Sequence, residues 1–220
     1  MKILAIETAT EACSAALSID DDCQYRYEIA PRKHTELILP MVNELLLEAN
    51  CKVGELDVIA FGQGPGAFTG VRIAIGVIQG LAFAHDIPVV PVSSLAALAQ
   101  QFVNEHEQVA TAFDARIQEV YWGLYKKDDN GLMRLMTKEQ VCSPENAAII
   151  NEGKWFGAGS GWKTYSEQLN ANFNDNLSGF NDSVFPCAKE VIELARPIYA
   201  AGNAIPVEQA MPVYLRDKVV

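Results

Sequence analysis

Two carboxylates and one glycine-rich loop are the residues of this chain best suited to chemistry. Glu7 ends the apolar run Ile3–Glu7, and Asp114 ends a second such run that starts at Val109. Paired carboxylates can hold Mg²⁺ and orient an attacking water; at strand ends they also simply cap turns. Thr8 and Thr10 follow Glu7 in a short polar turn. The loop Gly62-Gln63-Gly64-Pro65-Gly66-Ala67-Phe68-Thr69-Gly70 lies between an apolar run and a helical pattern. Glycines let several backbone N–H groups point at one spot, and a helix N-terminus adds positive potential, which suits a phosphate. No Gly-Lys-Ser/Thr follows, so this is not a Walker A loop. The competing reading is a tight turn that needs positive φ angles. Glu7, Thr8, Thr10, Gly64, Gly66 and Asp114 are the candidate nucleotide contacts.

Other chemistries lack their signatures. His34, His85 and His106 are far apart, so no HExxH helix exists, and there is no GxSxG elbow. The five cysteines are odd in number, widely spaced and without CxxC. That argues against a disulfide framework and a zinc cluster. Formal net charge is −11, with 17 Lys and Arg scattered among 28 Asp and Glu. Proteins that grip nucleic acid unaided normally carry a basic patch. Any action on RNA is therefore expected to be indirect.

The elements that must position these residues are legible. Ile3–Glu7, Cys13–Ile19 and Gln24–Ile29 read as a strand meander with a turn at Asp20-Asp21-Asp22. An amphipathic helix spans about His34 to Ala49, with Pro40 inside it. Strands 57–61 and 87–92 bracket the loop and the helix Val71–Ala84. Ser93-Ser94 starts a helix to about Asn104. Later, Ser143-Pro144 reads as a helix start, 166–183 as a polar surface loop, Pro186–Ala201 as a helix holding Pro197, and Pro212–Arg216 as extended.

The pattern restarts at Val109. Ala5-Ile6-Glu7 and Ala112-Phe113-Asp114 are both an apolar strand ending in a carboxylate, and each is followed by a hairpin-like strand. At the same offset Leu17 matches Leu124, and Asp21-Asp22 matches Asp128-Asp129. Two lobes of one design, 1–105 and 106–220, are expected, in the α/β layout of the actin-like ATPase fold with two RNase H-like lobes. If the lobes pair, Glu7 and Asp114 would flank one cleft.

The helix after the loop suggests docking. Gly76, Gly80 and Ala84 recur every four residues, as do Gly70 and Ala74, and such spacing lets a second backbone approach closely. Apolar residues occur on nearly all its sides, which marks a core helix or one covered by a partner. The preceding helix also has surplus apolar positions, Leu39 and Leu47. Half the residues are apolar, enough for a core, yet the run Val71–Ala84 is broken by Arg72, Gln79 and glycines, short of the roughly 18 clean residues of a membrane span. With no signal-peptide pattern at MKILAIETAT, a cytoplasmic protein is expected.

At ILAIETATEACSAAL, PRKHTELILPMVNELL, FGQGPGAFTGVRIAIGVIQGLAFAHDIPVVPVSSL, FDARIQEVYWGLY and PVYLR the chain resembles the TsaB (YeaZ) group of the TsaB/TsaD family. These segments cover nearly the whole chain in order. The resemblance implies the actin-like fold and a place in making threonylcarbamoyladenosine in tRNA. TsaD, the related subunit, transfers the threonylcarbamoyl group and carries a metal-binding HxxxH. Its two histidines would fall here at Ser94 and Leu98, and neither residue suits a metal. The resemblance therefore implies a non-catalytic partner that binds TsaD, forms homodimers alone, is joined by the ATPase TsaE, and meets tRNA only through the complex. No tightly bound cofactor is implied; ATP or ADP with Mg²⁺ belongs to the complex. The docking residues expected on this basis are His34, Leu37, Ile38, Met41, Val42, Leu45, Gly70, Ile73, Ala74, Val77, Gly80 and Ala84. A glycoprotease-type peptidase and a stand-alone ATP-binding protein are the alternatives. Where the family commonly has Asp at the end of its first strand, Glu7 stands here.

Overall fold

A computed structural model describes residues 1–20 and 22–216 and divides the chain into two units. The first is built from Met1–Ala97 and Pro186–Val213. Its central strand β1 (Lys2–Glu7) pairs antiparallel with β2 (Ala12–Ile19) and parallel with β4 (Val58–Gly62). Outside these lie β3 (Asp22–Ile29) and β5 (Val89–Val92), giving the order β3-β2-β1-β4-β5. The inner strands are apolar on both faces because helices cover both. On one face α1 (His34–Glu48) and α2 (Phe68–Phe83) bury Leu4, Ile6, Ala15, Leu17, Ile59 and Phe61. On the other lies α5 (Ala188–Ala200), where Ser14 Oγ accepts the Ala188 N–H at 2.9 Å. The helix α1 runs through the exposed Pro40.

The second unit is built from Leu98–Phe185 and residues 214–216. Its central strand β6 (Gln108–Arg116) pairs antiparallel with β7 (Glu119–Lys127) and parallel with β10 (Trp155–Ala158). The order is β11-β10-β6-β7-β8, with β8 at Met133–Leu135, β11 at Leu177–Asn181, and β9 (Gln140–Cys142) on β7. Counted from its own first strand, this is the first unit's arrangement repeated. The shared topology bears out the repeat and the actin-like fold of two RNase H-like lobes. Trp122, Trp155, Trp162 and Phe173 fill this core. Each indole N–H donates to a backbone carbonyl, Ala148 at 2.8 Å, Ile150 at 3.0 Å and Ala110 at 3.0 Å respectively, as buried tryptophans require.

Three details differ from expectation. The units do not divide at 105/106, because the last helix α5 packs on the first sheet and the first unit's sequence ends at Ala97 before resuming at Pro186. Residues 166–183 are not a loop. They hold most of α4 (Ser160–Phe173) and all of β11. The buried Trp162, Leu169 and Phe173 of α4 keep helical spacing, but Asn, Gln and Ser between them mask the stripe. Ser143-Pro144 opens only the short 3₁₀ turn Pro144–Asn146. The expected turn at Asp20-Asp21-Asp22 rests on Asp21, which lies outside the described residues.

Candidate functional site

The glycine-rich loop is filled by its own protein. A Cβ on Gly62 would collide with the Glu7 carboxylate, one on Gly66 with Ala9, and one on Gly70 with the Thr8 carbonyl. The three glycines therefore admit the β1–β2 turn. Hydrogen bonds fasten it: the Ala67 N–H donates to the Ala9 carbonyl at 2.7 Å, and Thr8 Oγ1 to the Gly70 carbonyl at 2.8 Å. Gly64, at φ +93°, accepts the Ser94 N–H at 2.9 Å. Glu7 is fully buried. Its Oε1 accepts the Ala9 N–H at 2.6 Å and its Oε2 the Ser94 hydroxyl at 2.7 Å. Burial raises its pKa, against the opposing pull of those hydrogen bonds. Only Thr10 Oγ1 in this turn is buried with no partner. These residues fit a packed turn, and do not fit a cradle for phosphate and Mg²⁺: the space and the Glu7 oxygens are already used.

Asp114, in the second unit, does not end its strand as expected: it lies two residues before the end of β6, at a bulge, and it is also committed locally. Its Oδ1 accepts the Arg116 N–H at 2.8 Å, and its Oδ2 pairs with the Arg116 guanidinium at 3.3 Å. The tip that follows, Arg116-Ile117-Gln118, has three successive positive φ angles, 64°, 54° and 58°. Non-glycine residues rarely adopt this conformation, and a β-branched one least of all. Arg216 braces the tip from outside, donating to the Ala115 carbonyl at 3.2 Å and pairing with Glu119.

The helices sort the expected docking residues into two sets. His34, Ile38, Met41, Val42, Leu45, Gly70 and Ala74 are buried in the protein's own core. His34 Nε2 bonds the carbonyls of Thr10 at 2.9 Å and Ala12 at 3.2 Å, tying α1 to the first hairpin. These seven are corrected to core positions: a side chain turned inward cannot meet a partner. Leu37, Ile73 and Val77 are half-buried, while Gly80 and Ala84 are exposed. So α2 is not buried all round. A Cβ on Gly76 or Gly80 would meet nothing within 4 Å. Flanking this open stripe are Phe83, 67% exposed, and Phe68, whose ring lies 3.7 Å from Arg72 Cζ. Gly76, Phe68, Arg72 and Phe83 are surface residues the docking set omitted; phase along the helix, not residue type, separates them from Gly70 and Ala74. Leu39 and Leu47 on α1 are exposed, as their surplus suggested.

Ser94 and Leu98 lie in α3 (Ser94–Gln100), both fully buried; Ser93 Oγ caps it, accepting from the Leu95 and Ala96 N–H groups at 3.2 Å. Among the described residues, no group of three His, Cys, Asp or Glu could hold a metal ion. Burial pushes the thiols of Cys13 and Cys187 up to about 12 and of Cys142 to about 11, so none of these three is a ready thiolate at neutral pH. No helix among the described residues is long and apolar enough to cross a membrane.

Comparison with known proteins accords with this geometry. Residues 27–218 match the family model described as TsaD: tRNA N6-adenosine threonylcarbamoyltransferase. The chain is 39% identical over its full length to the tRNA threonylcarbamoyladenosine biosynthesis protein TsaB of Escherichia coli, covering 96% of that protein. It is 40% identical to the Haemophilus influenzae protein of the same name, covering all of this chain and 95% of the other. A solved structure described as YeaZ from Pseudomonas aeruginosa superposes with a TM-score of 0.91 at 47% identity, over 97% of this chain and 99% of that one. Full-length identity at this level, a shared fold and a family match over most of the sequence together place the chain in the TsaB (YeaZ) family of tRNA threonylcarbamoyladenosine biosynthesis proteins.

Proposed function

We propose that this chain is a non-catalytic docking subunit of tRNA threonylcarbamoylation, acting by binding the catalytic TsaD subunit through the outer face of α2. The observation that carries the reading is the open stripe Gly76, Gly80 and Ala84. Glycine inside an exposed helix costs about 1 kcal/mol relative to alanine, and among the described residues nothing lies within 4 Å of a Cβ at 76 or 80 to require it. Close approach of a partner helix gives that cost a purpose, with Phe83, Ile73 and Val77 as flanking apolar contacts. The absence of catalysis in this subunit is supported by Glu7, Ser94 and Asp114 being spent on internal bonds. Contact with TsaE, indirect engagement of tRNA and a cytoplasmic setting follow from the same reading, and ATP or ADP with Mg²⁺ would belong to the assembled complex.

Gly80→Arg tests it. The variant should melt no lower than the parent, lose capture of TsaD in a pull-down, and fail to support tRNA modification. Retained capture and retained modification would overturn the docking face.

A further inference from the structure

The two edges of the first sheet are treated differently. At β5 the chain returns, and Val89 and Ile205 form a bridge with N–H to O distances of 2.8 and 2.9 Å. At the other edge, β3 has β2 as its one strand neighbour among the described residues, and six of its eight residues are exposed. Such an edge offers unpaired backbone groups, and proteins normally guard it with an outward charge. Here the charge is turned away: Arg26 folds onto α1, pairing with Glu44 at 3.3 Å and with Glu48. Strand alternation gives β3 two unlike faces. Cys187 and Glu190, at the start of α5, act on the Tyr27 hydroxyl, so Tyr25, Tyr27 and Ile29 stand on the α5 side, 49%, 38% and 54% exposed. Arg26 and the exposed Glu28 stand on the α1 side, where Glu44 and Glu48 join them. Around Arg26, three carboxylates thus face one guanidinium, and Arg32 and Lys33 lie past the strand's end.

We propose that β3 binds an extended segment of a different protein, added as a further strand, in which apolar residues alternate with lysines or arginines. Strand addition takes its affinity from main-chain hydrogen bonds and its specificity from alternate side chains. Each face of β3 then selects one half of the segment's pattern. On the α5 side, Tyr25, Tyr27 and Ile29 call for aromatic or branched apolar partners, a favourable cross-strand combination. On the α1 side, the surplus of carboxylates calls for cations. The same surplus argues against a second copy of this chain as the occupant. A copy would bring its own Glu28, Glu44 and Glu48, on a protein of net charge −11, whereas a basic segment neutralises them. An acidic segment would oppose like charges, and a wholly polar one would leave the tyrosine row uncovered. Helix α2 packs on β1 and β4, so this edge is separate from the α2 stripe.

A fluorescently labelled peptide as long as β3, with valine and lysine in strict alternation, tests the proposal by anisotropy titration against the full chain. It should bind, and amide exchange should slow in β3 while staying unchanged in α2. Two control peptides should bind roughly tenfold more weakly or worse, one alternating valine with glutamate and one with its valines and lysines in separate blocks. The block peptide carries the same charge, so it separates strand pairing from simple attraction to an acidic protein. Tyr27→Lys and Glu28→Lys should each weaken the alternating lysine peptide by a similar factor, and Glu28→Lys should improve the glutamate peptide. Both positions are exposed, and an unchanged melt checks that the fold is intact. No binding, equal binding of the block peptide, indifference to both variants, or protection outside β3 would overturn the proposal. So would slowed β3 exchange on concentrating the chain without peptide, which makes a second copy the occupant. Tyr27→Lys should still capture TsaD, so failure here leaves the α2 reading standing.

Discussion

The two units share one strand order but treat their carboxylates in opposite ways. In the first, Glu7 is sealed beneath a glycine loop, and Glu190 is buried in the first turn of α5 with its Oε2 unpartnered. In the second, Asp114, Glu119 and Asp128 stay near the surface, each matched to an arginine: Arg116, Arg216 and Arg134. Burial raises the pKa of Glu7 and lifts that of Glu190 from 4.5 to about 7, whereas the Arg134 hydrogen bond holds Asp128 below its usual range. The same turn position in one topology thus serves as a packed plug in one unit and as a bracket for a strained tip in the other. Topology sets where a strand ends, and the neighbours decide whether its terminal acid can react.

The contrast can be broken most severely at Gly70. Gly70→Ala drives a Cβ into the Thr8 carbonyl, a backbone atom that cannot rotate away. A loss of about 3 kcal/mol is expected in denaturant melts. Its counterpart at the start of α4, Gly161→Ala, meets the Ala112 Cβ at 2.7 Å and should cost less. Next in size is the pH response of the first unit. Glu190 binds a proton more tightly folded than unfolded, so its own contribution to stability is full at acid pH and is lost as pH rises from about 4.5 to about 7. Glu190→Gln should remove that slope. It should be more stable than the parent by on the order of 2–3 kcal/mol at pH 8 and equal to it near pH 4, read from melts across pH.

On the second unit's side, Asp114→Ala frees the Arg116 N–H and unbraces the left-handed tip; about 1 kcal/mol should go, with faster amide exchange confined to the β6–β7 turn. The smallest effect has the opposite sign. Gly80→Ala should stabilise the isolated chain by about 0.5–1 kcal/mol, because its methyl meets open space, while weakening capture of TsaD. A destabilised Gly80→Ala would show that the stripe packs internally after all.

Much of the fold was legible because strand and helix periods differ. The meander, α1, α2 and the internal repeat emerged from apolar spacing, and motif strings spread along the chain pointed to the family. α4 escaped because three buried side chains among polar ones leave too thin a stripe. The assignment of α5 to the first unit escaped because spacing says that a helix has an apolar face, not which sheet will cover it.

Residue types and spacings by themselves determined two lobes of one design and helix glycines in two series, while the placing of a metal pair at Ser94 and Leu98 was implied only by the resemblance to the TsaB/TsaD family. Tertiary structure alone decided that Gly70 and Ala74 face inward while Gly76, Gly80 and Ala84 face out. It likewise decided that Gly62 and Gly66 make room for a turn of their own chain. A glycine in a sequence records that something comes close. Whether that neighbour is a phosphate, the chain's own backbone or another protein depends on which side of the packed core the residue lies.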